Sequence, residues 1–177
     1  MAVKPWVGAI KEPTYPYPKQ TSNAPNADII LEYVHGYRTK DCRQNLYFND
    51  DKTLIYHAAA VLIYHDTKAN SQKLFTDHHD DILSIDYHKN SGGVITGELG
   101  PKPLINYYRD AKLIHTFKAP VTKGVLALAI SPDGSKAVAA GMDDDHYVAV
   151  LDLKKGTVIA KQKGGKKVIL KLGWLSE

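Results

Sequence analysis

The residues of this sequence whose side chains could do chemistry include the single cysteine and its charged neighbours. Cys42 lies among Arg38, Asp41 and Arg43, and cationic neighbours can lower a thiol pKa enough to create a nucleophile. No helix N-terminus and no dedicated histidine is evident beside it. The pattern therefore favours a buried, unreactive thiol, with Arg38, Asp41 and Arg43 forming a paired polar network in an apolar junction.

Two further clusters could hold a cation. His78 and His79 lie beside Asp77, Asp80 and Asp81, which on paper resembles a metal site. Residues 143–146, Asp-Asp-Asp-His, could bind calcium weakly, but they lack the spacing and the distal glutamate of an EF-hand. We expect structural hydrogen bonds at His78 and a hydrated hairpin loop at 143–146, with no metal and no cofactor.

The basic residues are concentrated at one end of the chain. Residues 154–177 hold seven lysines and one glutamate, and Lys163, Lys166 and Lys167 flank two glycines. This run lacks the GxxxxGK[ST] pattern of a phosphate-binding loop. It could meet an acidic partner, or its lysines could protect strand edges.

No established catalytic motif occurs: the sequence contains no GxSxG, no HExxH and no kinase signature. We therefore expect no enzymatic activity. An enzyme that uses Cys42 or the His78-His79 pair is the alternative that these residues leave open.

Composition narrows the class of protein. The chain has 177 residues, 44% hydrophobic and 24% charged, which fits one globular domain. A single cysteine excludes an internal disulfide and favours the reducing cytoplasm. No run of about 18 apolar residues exists, so we expect no membrane partner. The net charge of +4 comes from the basic end, so we expect no nucleic-acid partner.

The elements that must position these residues are short strands. Residues 1–27 contain five of the nine prolines and predict an extended strap, whose Trp6, Val7, Ile10, Tyr15 and Tyr17 would lie along their own domain or a partner. β-Branched and aromatic runs separated by turn residues follow, which predicts an all-β protein. The predicted strands are 45–48, 53–59, 61–65, 73–76, 82–88, 93–98, 104–108, 113–118, 125–131, 136–141, 147–153, 158–163 and 168–174.

An internal repeat organises these strands. Residues 82–110 align with 125–153, and a third copy begins at Ile169. A four-stranded unit that repeats every 40–45 residues is typical of propeller blades of the WD-repeat type. Asp110 and Asp152 occupy the place of the WD dipeptide, and His78 stands where the blade-stabilising histidine of such a repeat is expected.

The segment before the first clear repeat resembles the HELP motif of the EML family, the echinoderm microtubule-associated-protein-like proteins. The resemblance rests on Gly36-Tyr37-Arg38, Asp41-Cys42-Arg43, Asn45-Leu46-Tyr47 and the apolar run 59–64. It implies a structural junction at Gly36, Tyr37, Arg38, Asp41, Cys42 and Arg43. It also implies WD-repeat propeller blades and a surface that engages tubulin or microtubules.

The resulting organisation is a strap over 1–27, a HELP-like segment with the first blade over 28–80, and WD-repeat blades over 81–177 with the last one incomplete. A closed ring needs more blades than this length supplies. The chain is therefore either a fragment or one part of a split propeller that other chains complete. We predict a microtubule-binding protein of the cytoplasmic cytoskeleton, including the axoneme of a cilium or flagellum. The alternative is a WD-repeat scaffold for a partner other than tubulin.

Overall fold

The computed structural model describes residues 7–9, 11, 14–16, 19, 22–24, 26–49 and 51–175. Short runs of β-branched and aromatic residues, separated by Asp, Asn and Gly turns, form three four-stranded antiparallel sheets. Each sheet is a meander in which consecutive strands pair. This confirms the prediction of an all-β protein built from WD-repeat propeller blades in an open ring.

The blades follow one another along the chain. Blade 1 comprises β1 (Leu46–Phe48), β2 (Thr53–Ala58), β3 (Val61–Asp66) and β4 (Ser71–Phe75). Blade 2 comprises β5 (Ile82–His88), β6 (Gly93–Glu98), β7 (Leu104–Arg109) and β8 (Lys112–Lys118). Blade 3 comprises β9 (Val125–Ile130), β10 (Lys136–Gly141), β11 (Val148–Asp152) and β12 (Thr157–Gln162).

Two hydrophobic cores lie between the blades. The core between blades 1 and 2 is built around Ile55, Leu62, Ile82 and Tyr108, with further aromatic rings packed against it. The core between blades 2 and 3 is mostly aliphatic. Its buried members are Ile95, Ile105, Tyr107, Phe117, Val121, Val125, Leu128, Ile130, Ala137, Ala139, Leu151 and Leu153. Burial of these faces is the main favourable contribution to folding.

The predicted strand at 168–174 is wrong, because residues 168–175 form no strand. The first strand of a blade forms its ladder with the second strand of the same blade, and residues 168–175 pair with none of the strands in the described part of the chain. The segment nevertheless contacts blade 3, since Trp174 Nε1 donates to the carbonyl oxygen of Ala129 at 3.0 Å. The other predicted strands form, with some boundaries shifted by one or two residues.

Residues 1–31 constitute a separate compact unit from residues 32–177. Val7–Ala9 form a short 3₁₀ helix, which the expectation of a purely extended strap did not include. The predicted strap residues Trp6, Ile10 and Tyr17 lie outside the described residues. No helix in the described part of the chain is long and apolar enough to span a membrane.

Candidate functional site

The HELP-like segment joins blade 1 to blade 2 through Arg38. Its guanidinium binds Asp41 in a bidentate pair, with Nε–Oδ1 and Nη2–Oδ2 distances of 2.8 Å. It also binds Asp81, the residue that precedes β5. The bond from Arg38 holds the pKa of the Asp41 carboxyl below its usual value. The bidentate geometry fixes the orientation of the guanidinium between both acids.

The tyrosine and glycine of the same segment lie on the outer flank of blade 1. Tyr37 donates its hydroxyl to Asn45 Oδ1 at 2.7 Å, and its ring meets that of Tyr56 edge-on at 6.0 Å. Asn45 in turn donates to the carbonyl oxygen of Arg38. The backbone at Gly36 passes Ala58 at ordinary contact distance, since an added Cβ would lie 3.8 Å from the Ala58 Cβ.

The environment of Cys42 disfavours its thiolate. The side chain is half-buried, and desolvation raises the pKa of the thiol to about 11 despite the nearby Arg38. Arg38 acts to lower this pKa, but burial outweighs it, so the thiol lacks the lowered pKa that a nucleophile requires. Arg43 is exposed, and it lies with Gln44 along a narrow cleft that Leu170 and Lys171 also line.

His78 ties the connection between blades 1 and 2 to β6. Its Nδ1 lies 2.7 Å from Glu98 Oε2, and its Nε2 lies 2.7 Å from Thr96 Oγ1. Burial lowers the pKa of His78, and the bond to Glu98 opposes that shift. Glu98, which sequence reasoning missed, also accepts backbone N–H groups of His79 and Leu104. A buried carboxylate with this number of donors organises the loop around it.

The two aspartates assigned to the WD position occupy different places. Asp152 ends β11, and its Oδ1 accepts the backbone N–H groups of Lys154 and Lys155, both at 2.9 Å. Asp66 does the same at the end of β3. Asp110 instead lies beyond β7, in the exposed two-residue turn before β8. Asp66 and Asp152 therefore share the role of accepting backbone N–H groups in the turn after the third strand of a blade.

Asp86, which the sequence did not single out, connects all three blades. From β5 it accepts the hydroxyl of Tyr47 in blade 1 at 3.1 Å and the N–H of Ile130 in blade 3 at 2.6 Å. Burial raises the pKa of the Asp86 carboxyl, while both hydrogen bonds oppose that rise. The sequence of β5 gave no signal for this role, because the bonds are made across blades to residues about 40 positions away.

The acidic turn at 143–146 is occupied by contacts within the chain. Asp143 accepts the backbone N–H of Tyr147 at 3.0 Å, and Asp144 binds Lys123 at 2.5 Å. Asp145 pairs with Lys163 at 2.9 Å. Within the described residues, no group of three or more His, Cys, Asp or Glu side chains is arranged to hold a metal ion.

The three lysines proposed to meet a partner are not equivalent. Lys163 forms an ion pair with Asp145. Lys161, a neighbouring lysine outside this set, lies 3.9 Å from the ring centroid of Tyr147. Lys166 and Lys167 are exposed. No hydrogen bond or ion pair of either side chain is found in the described part of the chain.

Comparison with known proteins agrees with this architecture. The family model of the HELP motif matches residues 24–63, and that of the WD domain, G-beta repeat, matches residues 111–152. The second match starts in the turn before β8 and ends with β11, so the sequence repeat is offset by one strand from the structural blade. The matching models indicate no catalytic family.

Relatives cover nearly the whole chain. A ciliary WD repeat-containing protein, ctxp80, of Euplotoides octocarinatus is 31% identical, covering 98% of this chain and 27% of its own length. The 77 kDa echinoderm microtubule-associated protein of Strongylocentrotus purpuratus is 28% identical over 83% of this chain and 23% of its own length. Echinoderm microtubule-associated protein-like 2 of Homo sapiens is 28% identical, covering 89% of this chain and 26% of its own length. The chain thus spans about a quarter of these relatives and belongs to the HELP-motif, WD-repeat family of echinoderm microtubule-associated protein-like proteins.

Proposed function

We propose that this chain is a non-enzymatic, microtubule-associated part of the cytoskeleton that binds tubulin, including in a ciliary or flagellar axoneme. The observation that carries the proposal is the similarity, over almost the full chain, to proteins named as microtubule-associated and ciliary. The HELP motif and three blades supply a rigid surface for binding. A half-buried Cys42 with a raised pKa gives no support to the alternative of catalysis.

The charge distribution supports contact with an acidic lattice through one end of the chain. Lys166 and Lys167 are exposed, whereas the positive charge of Lys163 is partly neutralised by Asp145. Exposed cations attract an acidic surface over a Debye length of about 8–10 Å at moderate salt. Lys166 and Lys167 should therefore contribute more to binding than Lys163.

The outer flank of blade 1 supports completion of the ring by further blades. Tyr37, Leu46 and Phe48 are 45%, 49% and 56% exposed. Tyr37 and Leu46 line a shallow depression of about 240 Å³ with Leu54 and Tyr56. An apolar flank of this kind is a site of association or aggregation when left open. We assign this flank to blades from the remainder of a longer product or from another chain.

Co-sedimentation of the purified chain with microtubules at low and high salt tests the proposal, after light scattering has established that the chain is monodisperse. We expect binding that weakens as salt rises, because the contacts are charged. The Lys166→Glu/Lys167→Glu variant should bind at least about tenfold more weakly.

A variant with the same charge change elsewhere is the control. Lys68→Glu/Lys102→Glu changes two exposed lysines, one in blade 1 and one in blade 2, and should retain binding. If a monodisperse chain does not sediment with microtubules at any salt concentration, the proposal is wrong, and a scaffold for another protein becomes the better interpretation. Equal weakening by both variants would assign the binding to net charge alone.

A further inference from the structure

Residues 168–175 run along β9, the first strand of blade 3. Residues 170–172 of this segment and residues 126–128 of β9 line the same narrow crevice. Trp174 Nε1 donates to the carbonyl oxygen of Ala129 at 3.0 Å. β9 is the edge strand of its sheet, since only β10 pairs with it. The segment therefore lies beside the edge of blade 3 without belonging to its sheet.

The half-buried side chains of the segment repeat those by which β9 packs against blade 2. Three residues of β9 belong to the core between blades 2 and 3, namely Val125, Leu128 and Ile130. The residues 44 positions later are the three residues of the segment that are half-buried, namely Ile169, Leu172 and Trp174. The other residues of the segment are exposed. The segment thus packs on blade 3 as β9 packs on blade 2, in the position of a first strand.

The backbone of the segment is unpaired, in contrast to that of β9. Within the described residues, no N–H or C=O group of residues 168–175 takes part in a backbone–backbone hydrogen bond. β9 forms its ladder with β10. A row of unpaired backbone groups is a template for an added strand. The segment therefore has the position and the side-chain contacts of a first strand, but it lacks a second strand.

The register of blade 3 indicates which donors of the segment are free. The N–H of Ser131, the residue after β9, donates to β10. Hydrogen-bonded positions alternate along an antiparallel ladder, so the N–H groups of Ala129 and Ala127 face β10 as well. The residues 44 positions later are Gly173 and Lys171, and both are exposed. Their N–H groups should therefore face the edge to which a strand could add.

We propose that residues 168–174 accept a β-strand of a partner chain, which pairs antiparallel with them as β10 pairs with β9. Each strand in the described part of the chain already pairs within its own blade, so none of these strands is free to fill the position. In blade 3, the small Ala139 and Ala137 lie opposite Leu128 and Ile130. The added strand should likewise carry small residues opposite the bulky residues of the segment. The proposal does not depend on microtubule binding.

The test is an NMR titration of the full chain with a capped peptide of the β10 sequence, residues 134–141. We expect saturable shifts at the amides of residues 168–174 and slower hydrogen exchange at Lys171. A peptide that is N-methylated at the residue corresponding to Val138 lacks a ladder donor and should bind about tenfold more weakly. The control peptide is N-methylated at the residue corresponding to Ala139, whose N–H faces away from the segment, and it should retain binding.

Two proline variants of the chain test the same edge. Lys171→Pro removes an N–H that faces the added strand and should weaken binding of the unmodified peptide about tenfold. Leu170→Pro, the matched control, removes an N–H that faces the opposite direction and should weaken binding less than about threefold. Both variants should retain the thermal midpoint of the wild type, because the segment belongs to no sheet. Trp174→Phe removes the bond to Ala129 that positions the segment and should weaken binding about threefold.

Several results would overturn the proposal. One is the absence of saturable binding by the unmodified peptide, and another is binding whose shifts lie at β12 or elsewhere outside residues 168–174. Equal weakening by the two N-methylated peptides, or by the two proline variants, would show that no ladder forms at this edge. A chain that dimerises by itself, and that Lys171→Pro returns to the monomer in light scattering, would assign the segment to a second copy instead.

Discussion

The two joints between blades are packed with different chemistry on the same scaffold. At the joint of blades 1 and 2, the rings of Tyr64 and Phe75 meet at 5.4 Å, and Phe75 meets Tyr108 at the same distance. At the joint of blades 2 and 3, aliphatic residues dominate, and Gly97 lies so close to Val125 that an added Cβ would be 2.6 Å away. Aromatic rings hold the first joint apart, whereas a glycine lets the second close.

This difference shows that blade geometry is set by backbone pairing within each sheet, while the spacing between sheets depends on the side chains that fill it. The first joint leaves a polar cleft of about 630 Å³, and the second leaves one of about 270 Å³. Asp86 takes part in both joints, because one of its oxygens binds Tyr47 of blade 1 and the other binds Ile130 of blade 3. The joints should therefore respond separately to most substitutions and together to a change at Asp86.

Asp86→Ala should give the largest loss of stability, because it acts on both joints. It removes the acceptor of the Ile130 N–H and one of the two acceptors of the Tyr47 hydroxyl, which keeps the Ile85 carbonyl oxygen at 3.2 Å. The free energy of unfolding should fall by about 3 kcal/mol. Urea denaturation measures the loss. Tyr47→Phe removes the hydroxyl that bonds to Asp86 and to the Ile85 carbonyl oxygen, leaves the bond from Asp86 to Ile130 intact, and should cost about 1 kcal/mol. A cost for Asp86→Ala no greater than that of Tyr47→Phe would show that Asp86 does not couple the joints.

Lowering the pH should destabilise the joint between blades 1 and 2. His57 is fully buried on the face of β2 that also carries Ile55, and neither ring nitrogen has a partner within the described residues. Burial lowers its pKa from 6.5 to about 4. The unfolded chain therefore binds this proton more readily, and stability is lost as the pH falls from about 6.5 to about 4. This contribution amounts to about 3 kcal/mol.

His57→Leu should reduce this pH dependence and raise stability at pH 7, because it removes unpaired polar atoms from the core. Some dependence should remain, since burial also lowers the pKa of His78. The control, His79→Leu, makes the same replacement at an exposed histidine and should leave the pH dependence as it is. Urea denaturation at several pH values between 4 and 7 measures both. An unchanged profile in His57→Leu would contradict the assignment.

Gly97→Ala tests the close approach at the second joint. The new methyl group would collide with Val125 Cβ and Cγ1, and relieving the collision should cost about 2 kcal/mol. Gly36→Ala, where the added Cβ meets only an ordinary contact, should change stability by less than about 0.5 kcal/mol. Gly97→Ala should cost less in a Val125→Ala background than in the wild type, because Val125 Cγ1 is then absent. Equal costs in the two backgrounds would place the strain elsewhere.

The aromatic contact of the first joint should give the smallest effect. A double-mutant cycle of Phe75→Leu and Tyr108→Leu should yield a coupling energy of about 1 kcal/mol, the usual value for an edge-on ring pair. The matched cycle of Phe75→Leu with Phe117→Leu joins residues in different cores and should give a coupling close to zero. Equal couplings in the two cycles would mean that the rings do not specify the first joint.

Sequence reasoning located the blades because β-branched and aromatic runs are separated by turn residues and because residues 82–110 repeat as 125–153. It found His78 because a histidine recurs at that place in WD repeats, although the contacts with Thr96 and Glu98 emerged only from the fold. It placed Asp110 by alignment with Asp152, yet the turn after β7 is two residues shorter than that after β11. A length difference of this size moves an aspartate from a strand end into a turn without changing the hydrophobic pattern.

What the sequence determined by itself is local: the strand order, the four-stranded repeat, the HELP-like segment and the excess of lysine at one end. These depend on residue spacing along the chain, which a single sequence displays directly. The tertiary structure alone decided the pairing of Arg38 with Asp81, the three-blade contacts of Asp86, and the missing strand at 168–174. The physical reason is that hydrogen bonds between sheets join residues about 40 positions apart, and their formation depends on how the blades pack.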